Sequence, residues 1–217
     1  GIDYNFEKII KDKTNIKILS FDDNYKQHHC DILLNHNIYA DKYKYKGLVP
    51  ESCEVRCGKK YTLIRKEFKK ITIRNRPIHS EKTIIFLSMG GTDHSNISLA
   101  ILKILSEFDN IEVNLASTNS NQNLKELQNF VKQNQYVSIC IDSNIAEMMN
   151  NSDFAIITPS VILHEAIFLK LPFITIKTAD NQELMYQYLL KNKYPAFREN
   201  ELDTLSKEIR KYVPLYN

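Results

Sequence analysis

The stretch Thr83-Ile84-Ile85-Phe86-Leu87-Ser88-Met89-Gly90-Gly91-Thr92-Asp93 decides the fold of this chain. Residues 83–88 are short, apolar and β-rich enough for a buried strand, and Ile97, Leu99, Ala100, Ile101 and Leu105 recur at the spacing of one helix face. The glycine pair therefore sits on a strand-to-helix turn. Two adjacent glycines admit positive φ and close approach by a ligand, and the following helix offers free N–H groups at the positive end of its dipole. Such a turn suits a phosphate, although many βα turns use glycine for geometry alone.

Working downstream, strand and helix patterns alternate with short connections. Strands are expected over 112–116, 137–141, 154–157 and 173–176. Between them lie a helix face of Leu124, Leu127, Phe130 and Val131, a helix through Ile145, Met148 and Met149, and a helix over 161–169. A helix over 181–191 is opened by Asp180, with Glu183 at capping-box spacing, and a last helix covers 201–213. This rhythm predicts a parallel sheet covered on both faces, which binds ligands outside the carboxyl ends of its strands. Upstream, strands over 16–21, 32–34 and 54–57 end in Asp22-Asp23, Asn35 and Gly58, with tyrosine- and lysine-rich loops between them. They read as the later half of another α/β sheet. The polar, basic stretch 69–81, with Pro77, reads as a hinge.

Composition narrows the class. With 217 residues, 43% hydrophobic and 25% charged, the chain is a soluble globular protein of one large or two small domains. A net charge of +3 with scattered lysines excludes a basic nucleic-acid stripe. The richest apolar segment, 156–176, is interrupted by His164, Glu165 and Lys170, which excludes a membrane span there. No basic n-region with an apolar core opens the chain, and a cytoplasmic protein is expected. Cys30, Cys53, Cys57 and Cys140 could form disulfides or, with His28 and His29, a zinc site. The gap between Cys53 and Cys57 is wider than usual for zinc, so buried free thiols in a reducing compartment, with no metal, are the expectation.

Several runs, in order, resemble the nucleotide-sugar hydrolases of the pseudaminic acid pathway. They are Ile18-Leu19-Ser20-Phe21-Asp22-Asp23, His29-Cys30-Asp31-Ile32-Leu33-Leu34-Asn35, Gly47-Leu48-Val49-Pro50 and Cys53-Glu54-Val55-Arg56-Cys57-Gly58. Tyr61-Thr62-Leu63-Ile64-Arg65-Lys66-Glu67-Phe68, Met89-Gly90-Gly91-Thr92-Asp93, Asn144-Ile145-Ala146-Glu147-Met148-Met149 and Asn181-Gln182 follow. Members of that family remove UDP from UDP-2,4-diacetamido-2,4,6-trideoxy-β-L-altropyranose, and the family is similar to the glycosyltransferases that make the cell-wall lipid intermediate. The resemblance implies an α/β, GT-B-like fold: a partial N-terminal Rossmann-like half (1–68), a linker (69–81), a C-terminal Rossmann-like UDP-binding domain (82–197) and a closing helix (198–217). It implies a bacterial hydrolase with a UDP-sugar substrate and no cofactor; a monomer without nucleic acid or membrane insertion is expected.

By the same resemblance, Gly90 and Gly91, with Thr92 and Asp93, face the diphosphate. Ile145 meets the uracil through backbone groups, Ser160 donates to the diphosphate, and Asn181 and Gln182 lie near diphosphate or sugar. Glu165 accepts the ribose hydroxyls, a role that suits an acceptor-only carboxylate better than a place beside phosphates. Plainer readings stand beside these. Glu165 could pair with a nearby lysine, Ser160 and Asp93 could be helix caps, and Asn181 a first-turn residue. Arg65 could contact substrate or form a hinge salt bridge. His94 and His164 could be incidental. Full-length members carry a G-x-G-H turn, whose histidine is taken as catalytic base, and an H-Y-G segment. This chain begins Gly1-Ile2-Asp3 at what looks like the end of the second, so a preceding segment with the base is expected to be absent. Asp22 and Asp23, with His28, are the remaining base candidates. A glycosyltransferase with the same UDP cradle, or a non-catalytic sugar-nucleotide-binding module, are the alternative functions.

Overall fold

The structure, a computed structural model, describes residues 2–75 and 82–213. The chain divides into two compact units, Gly1–Leu63 and Ile64–Asn217.

The first unit holds a three-stranded parallel sheet in the order β1-β2-β3, formed by β1 (Leu19–Phe21), β2 (Ile32–Asn35) and β3 (Glu54–Cys57). The first strand is shorter than the 16–21 read from sequence. A helix that the pattern did not reveal, α1 (Tyr4–Thr14), precedes the sheet, capped by Asp3, whose carboxylate accepts the Phe6 amide at 2.9 Å. Its buried residue is Glu7, while Phe6 and Ile9 are exposed, so its apolar residues do not form its buried face. Cys30, Leu33 and Tyr45 form the small core.

The second unit is built on a six-stranded, all-parallel sheet in the order β6-β5-β4-β7-β8-β9. Its strands are β4 (Thr83–Ser88), β5 (Ile111–Ser117), β6 (Val137–Ile141), β7 (Phe154–Ile157), β8 (Phe173–Lys177) and β9 (Ala196–Arg198). The helices between them are α3 (Ile97–Leu105), α4 (Leu124–Gln133), α5 (Ile145–Asn150), α6 (Val161–Phe168) and α7 (Glu183–Lys191), with α2 (Lys66–Lys70) before the sheet and α8 (Leu205–Ile209) after it. Side chains alternate across each strand, and Ile85, Leu87, Val113, Leu115, Ile156 and Ile174 of one face pack with Ile101, Leu102, Leu127, Leu205 and Ile209 from the helices. Phe86, Ala155 and Ile157 are equally buried. Full burial of each large apolar side chain stabilises the fold by roughly 1.5–3 kcal/mol. Among the described residues no helix is long and apolar enough to cross a membrane.

Three details differ from the pattern-based expectations. Asp180 does not cap the following helix: Asp180–Gln182 form a 3₁₀ turn and α7 starts at Glu183. Glu183 instead accepts from Gln187, Arg198 and Lys177, bonds that pull its pKa down to about 2. The helix expected over 201–213 is shorter, because Glu199–Thr204 form a 3₁₀ segment ahead of α8, and β9 was not foreseen. Of the expected hinge, residues 69–75 belong to the second unit, where Asn150 bonds both the Thr72 carbonyl and the Arg74 amide at 3.0 Å. Residues 76–81 of that stretch lie outside the described residues.

The order of the strands places the site. From β4 the chain moves through β5 to β6 on one side, then crosses to β7, β8 and β9 on the other. The loops leaving β4 and β7 thus diverge at a topological switch point, where open α/β sheets leave a crevice.

Candidate functional site

A cleft of about 280 Å³ lies at this switch point, lined by the loops after β4, β7 and β8: Met89, Gly90, Thr92, Asp93, His94, Ser95 and Ile97, then Thr158 and Ser160, then Thr178, Ala179, Asn181 and Gln182. Gly90 has φ +88°, a conformation that an L side chain resists. Gly91 lies against Thr118: an added Cβ would come within 3.3 Å of its methyl group. The backbone amides of residues 90–95 donate to no protein acceptor among the described residues. Gly90, Thr92, Asp93, His94 and Ser95 line the cleft, so free donors lie beside it, suited to an anion.

The helix dipole that was expected to complete this cradle is already answered. Asp93 turns its carboxylate back onto α3, accepting the amides of Ile97 at 2.9 Å and Ser98 at 3.2 Å. The start of α3 therefore offers an incoming phosphate a carboxylate rather than free N–H groups, which corrects the sequence-based expectation. The start of α6 differs. Ser160 makes no side-chain cap; its hydroxyl bonds Thr158 Oγ1 at 3.0 Å, and the Val161 and Ile162 amides have no protein acceptor among the described residues. Gln182 folds back, its Oε1 accepting the Thr178 amide at 2.9 Å, while Asn181 is exposed at the cleft wall.

Of the residues proposed from sequence, Gly90, Thr92, Asp93, Ser160, Asn181 and Gln182 come together in this cleft, whereas Gly91, Ile145 and Glu165 are not among its lining. Gly91 lies within the donor loop. Ile145 opens α5 at the carboxyl end of β6, two strands from β4, with Asn144 accepting the Glu147 amide at 3.3 Å. Glu165, on α6, is completely buried, and both its oxygens are taken by Arg65, with Nε to Oε1 at 2.6 Å and Nη2 to Oε2 at 2.7 Å. Thr178 and Ala179 follow β8, which runs one residue beyond the expected 173–176, and the carboxyl-end rule is the sequence signal for them. His94 is exposed on the rim and His164 buried in α6.

In the first unit the base candidates are bound up in a buried network. Asp22 accepts the Tyr45 hydroxyl at 2.6 Å and the Tyr25 amide at 2.7 Å. His28 Nδ1 lies 2.8 Å from Glu7 Oε1, and its Nε2 lies 3.6 Å from Asp22 Oδ1. Burial pushes the Glu7 carboxyl up, but hydrogen bonds from Ser20, His28 and the His29 amide outweigh it and leave the pKa below its ordinary value. Asp23 is exposed and accepts from Asn24 at 2.6 Å. The four cysteines are free thiols, although only Cys30 is fully buried, where its surroundings push its pKa up to about 12.

The two parallel α/β units have the fold of GT-B glycosyltransferases. The chain superposes on MurG of Acinetobacter baumannii with a TM-score of 0.62 at 10% identity, covering 94% of this chain and 60% of that one. It superposes equally, at 0.62 and 9% identity over 96% of this chain and 60% of the other, on Arabidopsis thaliana UGT89C1 complexed with UDP-L-rhamnose. No protein-family model matches the chain. In sequence it is 47% identical over 195 residues to the UDP-2,4-diacetamido-2,4,6-trideoxy-β-L-altropyranose hydrolase of Campylobacter jejuni, covering 89% of this chain and 69% of that protein. The chain belongs to that hydrolase family. It is also 28% identical to an uncharacterised protein of Methanocaldococcus jannaschii, of which it spans 41%.

Proposed function

We propose that the chain serves hydrolysis of UDP-2,4-diacetamido-2,4,6-trideoxy-β-L-altropyranose, a step toward pseudaminic acid, and that its second unit holds the UDP. The observation that carries this reading is the set of free amides at the switch-point cleft, in a chain 47% identical to a named hydrolase of that substrate. The diphosphate takes the amides of residues 90–95, those of Val161 and Ile162, and the side chains of Thr92, Ser160 and Asn181. Uracil lies toward Ile145, and Glu165 receives the ribose.

In the reaction, water attacks the anomeric carbon, the bond from that carbon to the diphosphate oxygen breaks, UDP leaves as the anion, and the water's surplus proton passes to a base. Fixed backbone donors aimed at the leaving oxygen stabilise the charge as it develops, without reorganising. Asp22 and His28 are committed to internal bonds, so in this reading they shape the first unit and do not take the proton. The glycosyltransferase neighbours supply the second reading, transfer to an alcohol acceptor. Incubating the protein with the altropyranose substrate in water alone, and following liberated UDP and free sugar, separates the two. Stoichiometric release of both supports hydrolysis; release of UDP only when an alcohol acceptor is added supports transfer.

A further inference from the structure

Glu165 is fully buried, and both of its carboxylate oxygens are taken by Arg65. It follows Val161 by four residues, so the two share a face of α6, and the carboxylate lies about one turn from the free Val161 and Ile162 amides. Its side chain has no exposed surface, whereas the side chain of Arg65 that covers it is 46% exposed. The planar fork of Arg65 meets both carboxylate oxygens at once. Arg65 also has a second anion at hand. Its Nη1 lies 3.3 Å from Oε1 of Glu67, a solvent-exposed carboxylate, and its guanidinium sits over the Phe68 ring at 5.1 Å. One cation therefore has two carboxylates, one buried at the cleft helix and one in water.

We propose that Arg65 is a displaceable cover on Glu165, exchanged for the two ribose hydroxyls when a nucleotide binds and released toward Glu67. The inference rests on the reading of the cleft as a UDP site. A vicinal diol presents two O–H donors to one carboxylate, so it can replace the two N–H donors of the fork and leave neither carboxylate oxygen without a donor. Because the nucleotide must first displace a charge-assisted pair, the unliganded protein holds its own nucleoside affinity down. Inorganic pyrophosphate, which has no ribose, does not meet this barrier.

The test is calorimetric titration of the whole chain with UDP and with pyrophosphate, in wild type, Arg65→Gln, Arg65→Lys and Glu67→Gln. The cover predicts that Arg65→Gln binds UDP about 3- to 10-fold more tightly, that Arg65→Lys, which lacks the fork, lies between, and that Glu67→Gln binds UDP more weakly, with pyrophosphate affinity constant throughout. Weaker or unchanged UDP binding by a folded Arg65→Gln protein, with pyrophosphate unchanged, overturns the cover and leaves the UDP site standing. No UDP binding by any form at millimolar concentration overturns the site itself, and the cover with it. If Arg65→Gln does not fold, the Arg65 Nε–H signal of the ¹⁵N-labelled wild type decides: the cover predicts loss of its protected, carboxylate-bonded position on saturation with UDP, and its retention overturns the proposal.

Discussion

The Asp93 carboxylate accepts the Ile97 amide at 2.9 Å, from a backbone with φ 38°, so the residue after the glycine turn spends its charge on α3. Replacing Asp93 by Ala removes the cap and places a β-carbon with no local hydrogen bond in the left-handed region. The expected loss is about 1–2 kcal/mol. Asp93→Asn keeps one of the two acceptor oxygens that hold the Ile97 and Ser98 amides and tolerates that φ, so thermal melts should order Ala below Asn and Asn below wild type. With one negative charge fewer beside the proposed diphosphate, Asp93→Asn should bind UDP at least as tightly as wild type, and a clear loss of affinity would show that the carboxylate itself serves the ligand.

Gly90→Ala meets no steric neighbour, yet its φ of +88° is strained for any L side chain. Destabilisation of about 1–2 kcal/mol is expected, read as a lower urea midpoint with an unchanged slope. Because the same turn aims the free amides, UDP binding should weaken too. A variant of full affinity would mean that the loop can present its donors from another conformation.

Glu7 sets a pH dependence of the first unit. Its folded pKa lies below the ordinary 4.5, so the group contributes stability that is present above 4.5 and lost as the pH falls through the folded value. Denaturant curves between about pH 7 and about pH 3 should show the advantage of wild type over Glu7→Gln shrinking on the acid side. Glu7→Ala strands the buried Ser20 and His28 groups, at about 1–3 kcal/mol for each unsatisfied donor, and should be the less stable substitution at neutral pH. An advantage that stays constant with pH would show that Glu7 titrates as an ordinary surface carboxyl.

How far the sequence could be read follows from where each element keeps its information. The strands 83–88 and 154–157 were legible because both faces of the sheet are covered, so they are continuously apolar. The glycine turn was legible because φ +88° at Gly90 asks for glycine. Helix α1 was not, since the side chain it buries is the carboxylate Glu7 and its apolar residues face outward. The Asp180 cap failed because a 3₁₀ turn has the same local spacing as a helix start. Capping by Asp93 could be foreseen as one role of the residue, but its consequence, that α3 presents a carboxylate at the cleft, needed coordinates. The Arg65–Glu165 pair spans a hundred positions, and no local pattern encodes it.

An amide ¹H–¹⁵N titration of the ¹⁵N-labelled chain with UDP shows whether free amides at the switch point hold a nucleoside diphosphate. Saturable shifts are expected, concentrated on Gly90, Gly91, Thr92, His94, Ser95, Val161 and Ile162 and reproduced in part by pyrophosphate. Saturable shifts centred on other residues, or none on these at millimolar UDP, would contradict that role of the amides.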